Sequence, residues 1–334
     1  MKAALLTSIA RDSIAASLAP FGEVRLVADV QDLHQAIDGA DALVMSNPGL
    51  YTAEFADELC RHGGALKWIQ FLSAGYDGPQ LHGIPAGTVL TNAGECWSPT
   101  VAEHAVMLLL ALVRRLTDCH QAQGERRWDA GIRPRLSSLE GKTVTVLGYG
   151  SIGRDIAARL RPFGAHVVGV TRSGKPSEAG PAPDRMVAVG QLHALLPESD
   201  ALIVTLPLSQ ETRHIIDADR LARLPAHAVL VNVSRGGTVD GVALAEALKA
   251  GRLGGAALDV TEPEPLPATD PLWTTPNTII TPHIAGFGSG ALDGRLAALV
   301  AENASRFAAG RALLHRVDVP VRPATAGGQH RDPA

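Results

Sequence analysis

The chain has 334 residues, with 30 Lys and Arg against 34 Asp and Glu and a formal net charge of −4. That length suits about two domains with a core each, and the mixed charges include no basic run that would track a phosphate backbone, which argues against nucleic acid as a partner. The most apolar segment, 106–113, is shorter than the roughly 20 residues of a membrane span, and the early Arg11-Asp12 makes the N-terminus a first strand rather than a signal peptide. Cys60, Cys96 and Cys119 are odd in number and lack a C-x-x-C pair, so reduced thiols in a cytoplasmic protein are expected.

Short apolar runs at 3–7, 24–27, 42–45, 68–72 and 89–91 read as strands, and 13–18, 32–37 and 53–62 read as helices. Such alternation predicts a mostly parallel sheet covered on both faces. Leu72-Ser-Ala-Gly-Tyr-Asp77 is a turn directly after a strand, which in an open α/β sheet is where ligands bind. From Pro99 to Gln121 one long helical pattern follows, with Val101, Ala105, Leu108, Leu112 and Leu116 at helical spacing, long enough to bridge two units. Glu103 and His104 within it read as hydrogen-bonded or interfacial rather than catalytic. Residues 123–138, with Trp128, read as a charged loop or arm.

The second half repeats the alternation, with strands at 143–147, 166–171, 186–189, 201–205, 229–233, 255–259 and 278–281 and helices at 152–160, 191–196, 217–223 and 242–250. This predicts an α/β fold of two doubly wound, Rossmann-like parallel-sheet domains with a cleft between them, residues 1–98 plus 286–318 and residues 99–285. A glycine-rich joint, 286–290, leads to a helix ending near 309, and residues 319–334 are expected to form an unstructured tail.

Gly148-Tyr149-Gly150-Ser151-Ile152-Gly153 lies between a buried strand and a helix. In that context the first glycine allows a tight turn, the second a close approach of a pyrophosphate, and the third close packing of helix on strand. The next strand ends at Thr171-Arg172-Ser173, where an acidic residue would grip the ribose 2′-hydroxyl of NAD. A guanidinium there can bind a 2′-phosphate bidentately. NADP(H) is therefore favoured, with NAD(H) the alternative. Three later strand ends carry Arg235, then Asp259 and Glu264, then His283: a cation, carboxylates and an imidazole at one edge of one sheet.

In this order, Gly-x-Gly-x-x-Gly, Val-Ser-Arg-Gly-Gly, Asp-Val-Thr-Glu-Pro-Glu-Pro-Leu-Pro and Thr-Pro-His-Ile-Ala-Gly resemble the D-isomer-specific 2-hydroxyacid dehydrogenase family. The likeness extends to about residue 318, includes 71–77 and 101–104, and implies that 1–98 plus 286–318 form a flavodoxin-like substrate domain and 99–285 a dinucleotide-binding domain. Its corner at 171–173 is similar to that of NADP-using glyoxylate and hydroxypyruvate reductases. The resemblance implies hydride transfer between a nicotinamide and a small 2-oxo or 2-hydroxy acid, with Arg235 holding the substrate, His283 exchanging the proton and Glu264 orienting His283. It also implies that the backbone N–H groups of Ala74 and Gly75 bind the substrate carboxylate, that Asp259 contacts the carboxamide, and that Leu206, Pro207, Thr212, Ser234 and Gly286 line the cofactor. Pairing into a homodimer through the helix from Pro99 and the arm at Trp128 is implied as well. The substrate side chain is expected to meet loop residues such as Asn47, Leu50, Cys96 and Trp97. Two alternatives remain: an NAD-dependent D-2-hydroxyacid or phosphoglycerate dehydrogenase, and a dinucleotide-sensing protein like the corepressors that share the fold, against which the intact Arg235, Glu264 and His283 argue.

Overall fold

The computed structural model describes residues 1–28, 32–46, 48–175 and 180–322. Asn47, among the expected substrate contacts, lies outside the described residues. The chain divides into two compact units, one of Met1–Trp97 with the segment from Ser289 onward, the other of Ser98–Gly288.

Unit 1 contains β1 (Lys2–Leu6), β2 (Glu23–Leu26), β3 (Ala42–Met45), β4 (Trp68–Phe71), β5 (Ile84–Pro85) and β6 (Val89–Thr91), and on the returning chain β14 (Arg316–Val317) and β15 (Val321–Arg322). Among the described residues its main sheet runs β14-β6-β4-β3-β1-β2, parallel except for β14, which pairs antiparallel with β6 at the edge. Apart from that strand, the order is the doubly wound 2-1-3-4-5 pattern. Side chains alternate across it as the strand period of two requires. Ala4, Leu6, Leu43, Met45, Ile69 and Phe71 enter one apolar layer, and Ala3, Leu5, Ala42, Val44 and Trp68 enter the opposite one with the helix Leu292–Ala308. Both faces are buried, which is why these strands read as continuous apolar runs.

Unit 2 contains β7 (Thr143–Leu147), β8 (His166–Thr171), β9 (Arg185–Ala188), β10 (Ala201–Val204), β11 (Val229–Asn232), β12 (Gly255–Leu258) and β13 (Thr278–Ile280). Among the described residues its sheet has the order β13-β12-β11-β10-β7-β8-β9, and every pair is parallel. The order reverses between β7 and β10, the switch point where an open α/β sheet leaves a crevice at the carboxyl ends of its strands. Leu147, Val170, Leu202, Val204, Leu230 and Leu258 fill the core on one face. The helix Ser98–Val113 packs on the helix Ser151–Leu160 and on β11 to β13.

Two expectations are corrected. The single helix over 99–121 is two, Ser98–Val113 and Leu116–Gly124, because Arg115 turns left-handed with φ 54. Its guanidinium holds that break, donating to Asp118 Oδ2 at 2.7 Å and to Gly254 O at 3.1 Å. Apolar spacing alone does not register such a break. The tail expected to be unstructured from 319 begins instead with strand β15, which pairs with β5 and is fastened by Arg322 to Asp57 at 2.6 Å; residues 323–334 lie outside the described residues. In the arm at 123–138, the 3-10 helix Ala130–Arg135 follows Trp128, whose side chain is 94% exposed. Among the described residues no helix is long and apolar enough to cross a membrane.

Candidate active site

The glycine turn leaves β7 at Gly148, and its three glycines have different causes. Gly148 has φ +104, and a Cβ there would lie 2.9 Å from both Leu206 N and Thr205 C. At Gly153 a Cβ would lie 2.7 Å from Gly148 O. Packing within the chain thus requires the first and third. A Cβ at Gly150 would meet nothing within 4 Å, so the protein alone does not require glycine there. The open surface in front of Gly150 is what a phosphate needs for close approach.

The helix behind it, Ser151–Leu160, has Gly150 at its N-cap and no side-chain cap. Its first-turn N–H groups, including those of Ser151, Ile152 and Gly153, lack partners within the helix and carry the positive end of its dipole. These features fit a dinucleotide pyrophosphate. The Tyr149 ring turns the other way: it is 3% exposed, a Cβ on Gly169 would come 2.7 Å from its Cδ2, and its hydroxyl donates to Pro181 O at 3.1 Å. Tyr149 stands at the turn by its backbone.

At the end of β8, Thr171 Oγ1 accepts from Gly174 N at 3.0 Å and Ser173 Oγ accepts from Lys175 N at 3.3 Å, so both hydroxyls shape the corner. Arg172 is exposed. Its charge reaches Glu211, whose carboxyl is held below the usual range chiefly by the Ser209 hydroxyl, with Arg172 adding to the effect. Beyond β10, Thr205 Oγ1 donates to Gly148 O, and Thr212 Oγ1 donates to Pro207 O at 2.7 Å, closing the turn that carries Leu206 and Pro207 beside the glycines.

The ends of β11, β12 and β13, neighbours in the sheet, carry the ionisable groups. Asn232 closes β11. Its Oδ1 accepts from Ser234 N and Oγ, and its Nδ2 donates to Arg235 O at 3.1 Å. That network buries Ser234 and sets the turn from which the Arg235 side chain leaves. A Cβ at Gly236 would overlap the Thr261 carbonyl at 2.0 Å, so glycine lets this turn lie against the loop after β12. Arg213 grips the same loop through a two-pronged ion pair with Glu262, both contacts 2.9 Å.

Asp259, 2% exposed, ends β12 and organises the turn after β13. Its carboxylate accepts from Thr281 Oγ1 at 2.6 Å, Ile284 N at 2.9 Å and Ala285 N at 3.0 Å, while its carbonyl accepts from His283 N at 2.8 Å. Because the Thr281 hydroxyl proton goes to Asp259, its oxygen accepts from His104 Nε2 at 3.1 Å. Burial pushes the Asp259 carboxyl up, but the hydrogen bonds of His104, Thr281, Ile284 and Ala285 together outweigh it and leave it below the ordinary range. Gly286 follows, partly buried, in the same turn.

This scaffold holds His283 at φ 53, a left-handed conformation that is uncommon for a residue with a side chain. Its Nδ1–H donates to Glu264 Oε2 at 2.8 Å. Glu264 Oε1 in turn accepts from Thr261 N at 3.1 Å. The Glu264 hydrogen bond raises the His283 pKa; burial opposes this, the Glu264 charge adds to it, and Arg235 pulls it down. Burial likewise pushes the Glu264 carboxyl up, but His283, the Thr261 N–H and Arg235 hold it below its usual range.

The pair therefore has both members charged, with opposite signs, between the lowered Glu264 pKa and the raised His283 pKa. Its stabilisation is lost as pH rises through the raised His283 pKa, and as pH falls through the lowered Glu264 pKa. Glu264→Gln should lower the His283 midpoint in an NMR titration of its ring protons; an unmoved midpoint would show that the carboxylate does not set it. Beside the pair opens a crevice of about 380 Å³ with Pro265, Leu266, Trp273 and Pro282 among its walls.

The structure thus brings Arg235, Asp259, Glu264 and His283 to one edge of unit 2. Ala74 and Gly75 belong to unit 1, on the turn after β4, with Cys96 and Trp97 farther along the same unit. Sequence reasoning missed Asn232 and, although it read His104 as hydrogen-bonded or interfacial, did not identify Thr281 as its partner. A signal existed for Asn232, a polar residue closing the apolar run Val229-Leu-Val, but none for the link between a helix and a strand end 177 positions apart.

Comparison with known proteins places residues 106–285 in the family model described as D-isomer specific 2-hydroxyacid dehydrogenase, NAD binding domain. A glyoxylate reductase of Korarchaeum cryptofilum is 33% identical over 299 residues, covering 86% of this chain and 87% of that protein. A D-isomer specific 2-hydroxyacid dehydrogenase from Xanthobacter autotrophicus Py2, solved in complex with NADPH and MES, matches with TM-score 0.80 at 30% identity, over 95% of this chain and 97% of that one. An NAD-dependent formate dehydrogenase from Staphylococcus aureus, solved with NAD, matches with TM-score 0.72 at 26% identity, over 96% and 99%.

Proposed function

Since the chain belongs to the D-isomer specific 2-hydroxyacid dehydrogenase family, enzymes that act on CH–OH groups, we propose that it reduces a small 2-oxo acid of the glyoxylate or hydroxypyruvate type to the D-2-hydroxy acid with NADPH. The observation that carries this reading is the Glu264–His283 pair, 2.8 Å apart and under the charge of Arg235, at the carboxyl ends of three adjacent parallel strands.

The nicotinamide, when bound, supplies the hydride. Gly150 and the N-terminus of Ser151–Leu160 would hold the pyrophosphate, Thr171, Arg172 and Ser173 the 2′-phosphate, and the turns at Leu206–Pro207, Thr212, Ser234 and Gly286 would line the rest. Asp259, engaged by its own turn, would support the carboxamide end through that turn. Arg235 would hold the substrate carboxylate and polarise the carbonyl, for which its planar fork is better matched than an ammonium; the N–H groups of Ala74 and Gly75 are proposed as further holders of that carboxylate.

In His283, Nδ1 is occupied by Glu264, so Nε2 is the atom that would give the proton in reduction and take it in oxidation. The raised pKa keeps the acid form available near neutrality. The glyoxylate reductase among the relatives and the NADPH-bound neighbour support the substrate class and cofactor, while the NAD-bound neighbour keeps the NAD-dependent alternative in view. Steady-state kinetics on a panel of 2-oxo acids with both reduced cofactors tests the proposal. NADPH is expected to exceed NADH in kcat/KM with glyoxylate or hydroxypyruvate; preference for NADH would overturn the cofactor assignment.

A homodimer formed through the helix from Ser98 and the arm bearing exposed Trp128 is also proposed, and a cytoplasmic location with reduced thiols is retained from the cysteine usage. Light scattering at micromolar concentration should give twice the chain mass; a monomer would refute the pairing.

A further inference from the structure

In unit 1, three consecutive carbonyls of the turn after β4 are engaged, two by donors from the segment after β6 and the third by Ser73 within the turn. Ser73 O accepts from Ala93 N at 2.9 Å, Ala74 O from Asn92 Nδ2 at 2.8 Å, and Gly75 O from Ser73 Oγ at 2.8 Å. In a trans peptide the C=O of one residue and the N–H of the next point in opposite directions, and the cis peptides found among the described residues are Glu262-Pro263 and Glu264-Pro265. The N–H groups of Ala74, Gly75 and Tyr76 are therefore turned away from these donors. Successive N–H groups left without a protein acceptor on one side of a turn are the kind of donors that can receive an anion.

The side chain that orients the central peptide is itself fixed. Asn92 Oδ1 accepts from Gly94 N at 3.0 Å, its N–H donates to His315 O at 3.1 Å, and its carbonyl accepts from Gln70 Nε2 at 3.0 Å. Gln70 is fully buried and accepts from Thr91 Oγ1 and from Asn303 Nδ2, each at 2.9 Å. A continuous polar chain thus runs from the helix Leu292–Ala308 through the sheet to the Ala74 carbonyl. Buried, satisfied networks of this kind fix a geometry.

We propose that Asn92 is a positioning residue for carboxylate recognition: by holding the Ala74 carbonyl it aims the Gly75 N–H at the carboxylate of the 2-oxo acid, and with Ser73 it brings the Tyr76 N–H in as a third donor. The proposal rests on the function given above. Asn92→Ala removes the anchor without adding charge, and Ser73→Ala removes the neighbouring anchor should the first variant fail to fold.

For either variant the KM for glyoxylate and the Kd for oxalate, measured by calorimetry, should rise about tenfold, while the Kd for NADPH, read by fluorescence, and the His283 titration midpoint stay at the wild-type values. Oxalate and glyoxylate constants within twofold of wild type would overturn the proposal, as would an equal loss of NADPH binding or a wild-type protein that does not bind oxalate. A wild type that binds oxalate in an Asn92-dependent way yet does not reduce glyoxylate would sustain the carboxylate turn and refute the reductase reading instead.

Discussion

Replacing His283 with Ala should lower kcat for 2-oxo acid reduction by roughly 10²–10⁴-fold, the range by which a positioned general acid accelerates a reaction, while the Kd for NADPH stays within a few-fold of wild type. The two outcomes separate because the groups sit at different strand ends. Gly148 to Gly153 follow β7, and the corner at Arg172 follows β8, whereas His283 lies past β13. The His283 side chain is half exposed and makes one strong contact, to Glu264. The turn beneath it is held by Asp259 through backbone N–H groups that alanine also possesses. The left-handed φ of 53 is the one cost the variant inherits. Stopped-flow reduction under saturating NADPH, paired with fluorescence titration of the cofactor, measures both quantities. Retained turnover would remove His283 from the role of proton donor, and a parallel loss of NADPH binding would mean that the turn had collapsed.

The second large effect is expected at Arg172. Arg172→Asp should reverse the cofactor preference, lowering kcat/KM with NADPH by about ten- to hundredfold, the range set by losing a hydrogen bond to a charged group worth roughly 1.5–3 kcal/mol. It should leave NADH turnover unchanged or better. The new carboxylate would repel a 2′-phosphate and could accept from a ribose 2′-hydroxyl, as acidic residues at this strand end do in NAD sites. Arg172 is exposed, so the fold has little at stake. The corner keeps its shape through the Thr171 and Ser173 hydroxyls. Glu211, close enough to feel the arginine charge, would then face a like charge, which further disfavours a phosphate there. An unchanged NADPH to NADH ratio would show that the 2′-phosphate is read elsewhere.

How far the sequence could be read depended on how local the causes were. Strands such as β1, β3, β4, β7 and β10 were legible because each is a short, mostly buried apolar run, and Leu147, Val170 and Val204 owe their side of the sheet to simple alternation. The glycine turn was legible too, because the residue types demanded by its geometry are few. Arg235, Glu264 and His283 were found as strand-end groups in a familiar order, but the reasons they hold their positions were not visible. The Gly236 contact with the Thr261 carbonyl and the Arg213–Glu262 clamp join segments distant in sequence, while the Asn232 network, although local, depends on side-chain directions that residue type alone does not reveal. The break at Arg115 was missed because a left-handed residue changes no apolar spacing. The two-residue strands β5, β14 and β15 are too short to give any periodic signal.

Unit 2 is one continuous stretch, whereas unit 1 is assembled from both sides of it. For a chain emerging from the ribosome this fixes an order of events. Unit 2 has all its strands before the helix Leu292–Ala308 and β14 are made. Until then, Gln70 lacks Asn303 and the β6 edge lacks its antiparallel neighbour. At about 5–20 residues per second, that wait lasts roughly 10–40 seconds, with an apolar sheet face and an open strand edge available to other chains. The first half of unit 1 is therefore the part of the nascent protein that waits longest for its covering, although in the finished molecule its strands β3 and β4 are buried on both faces.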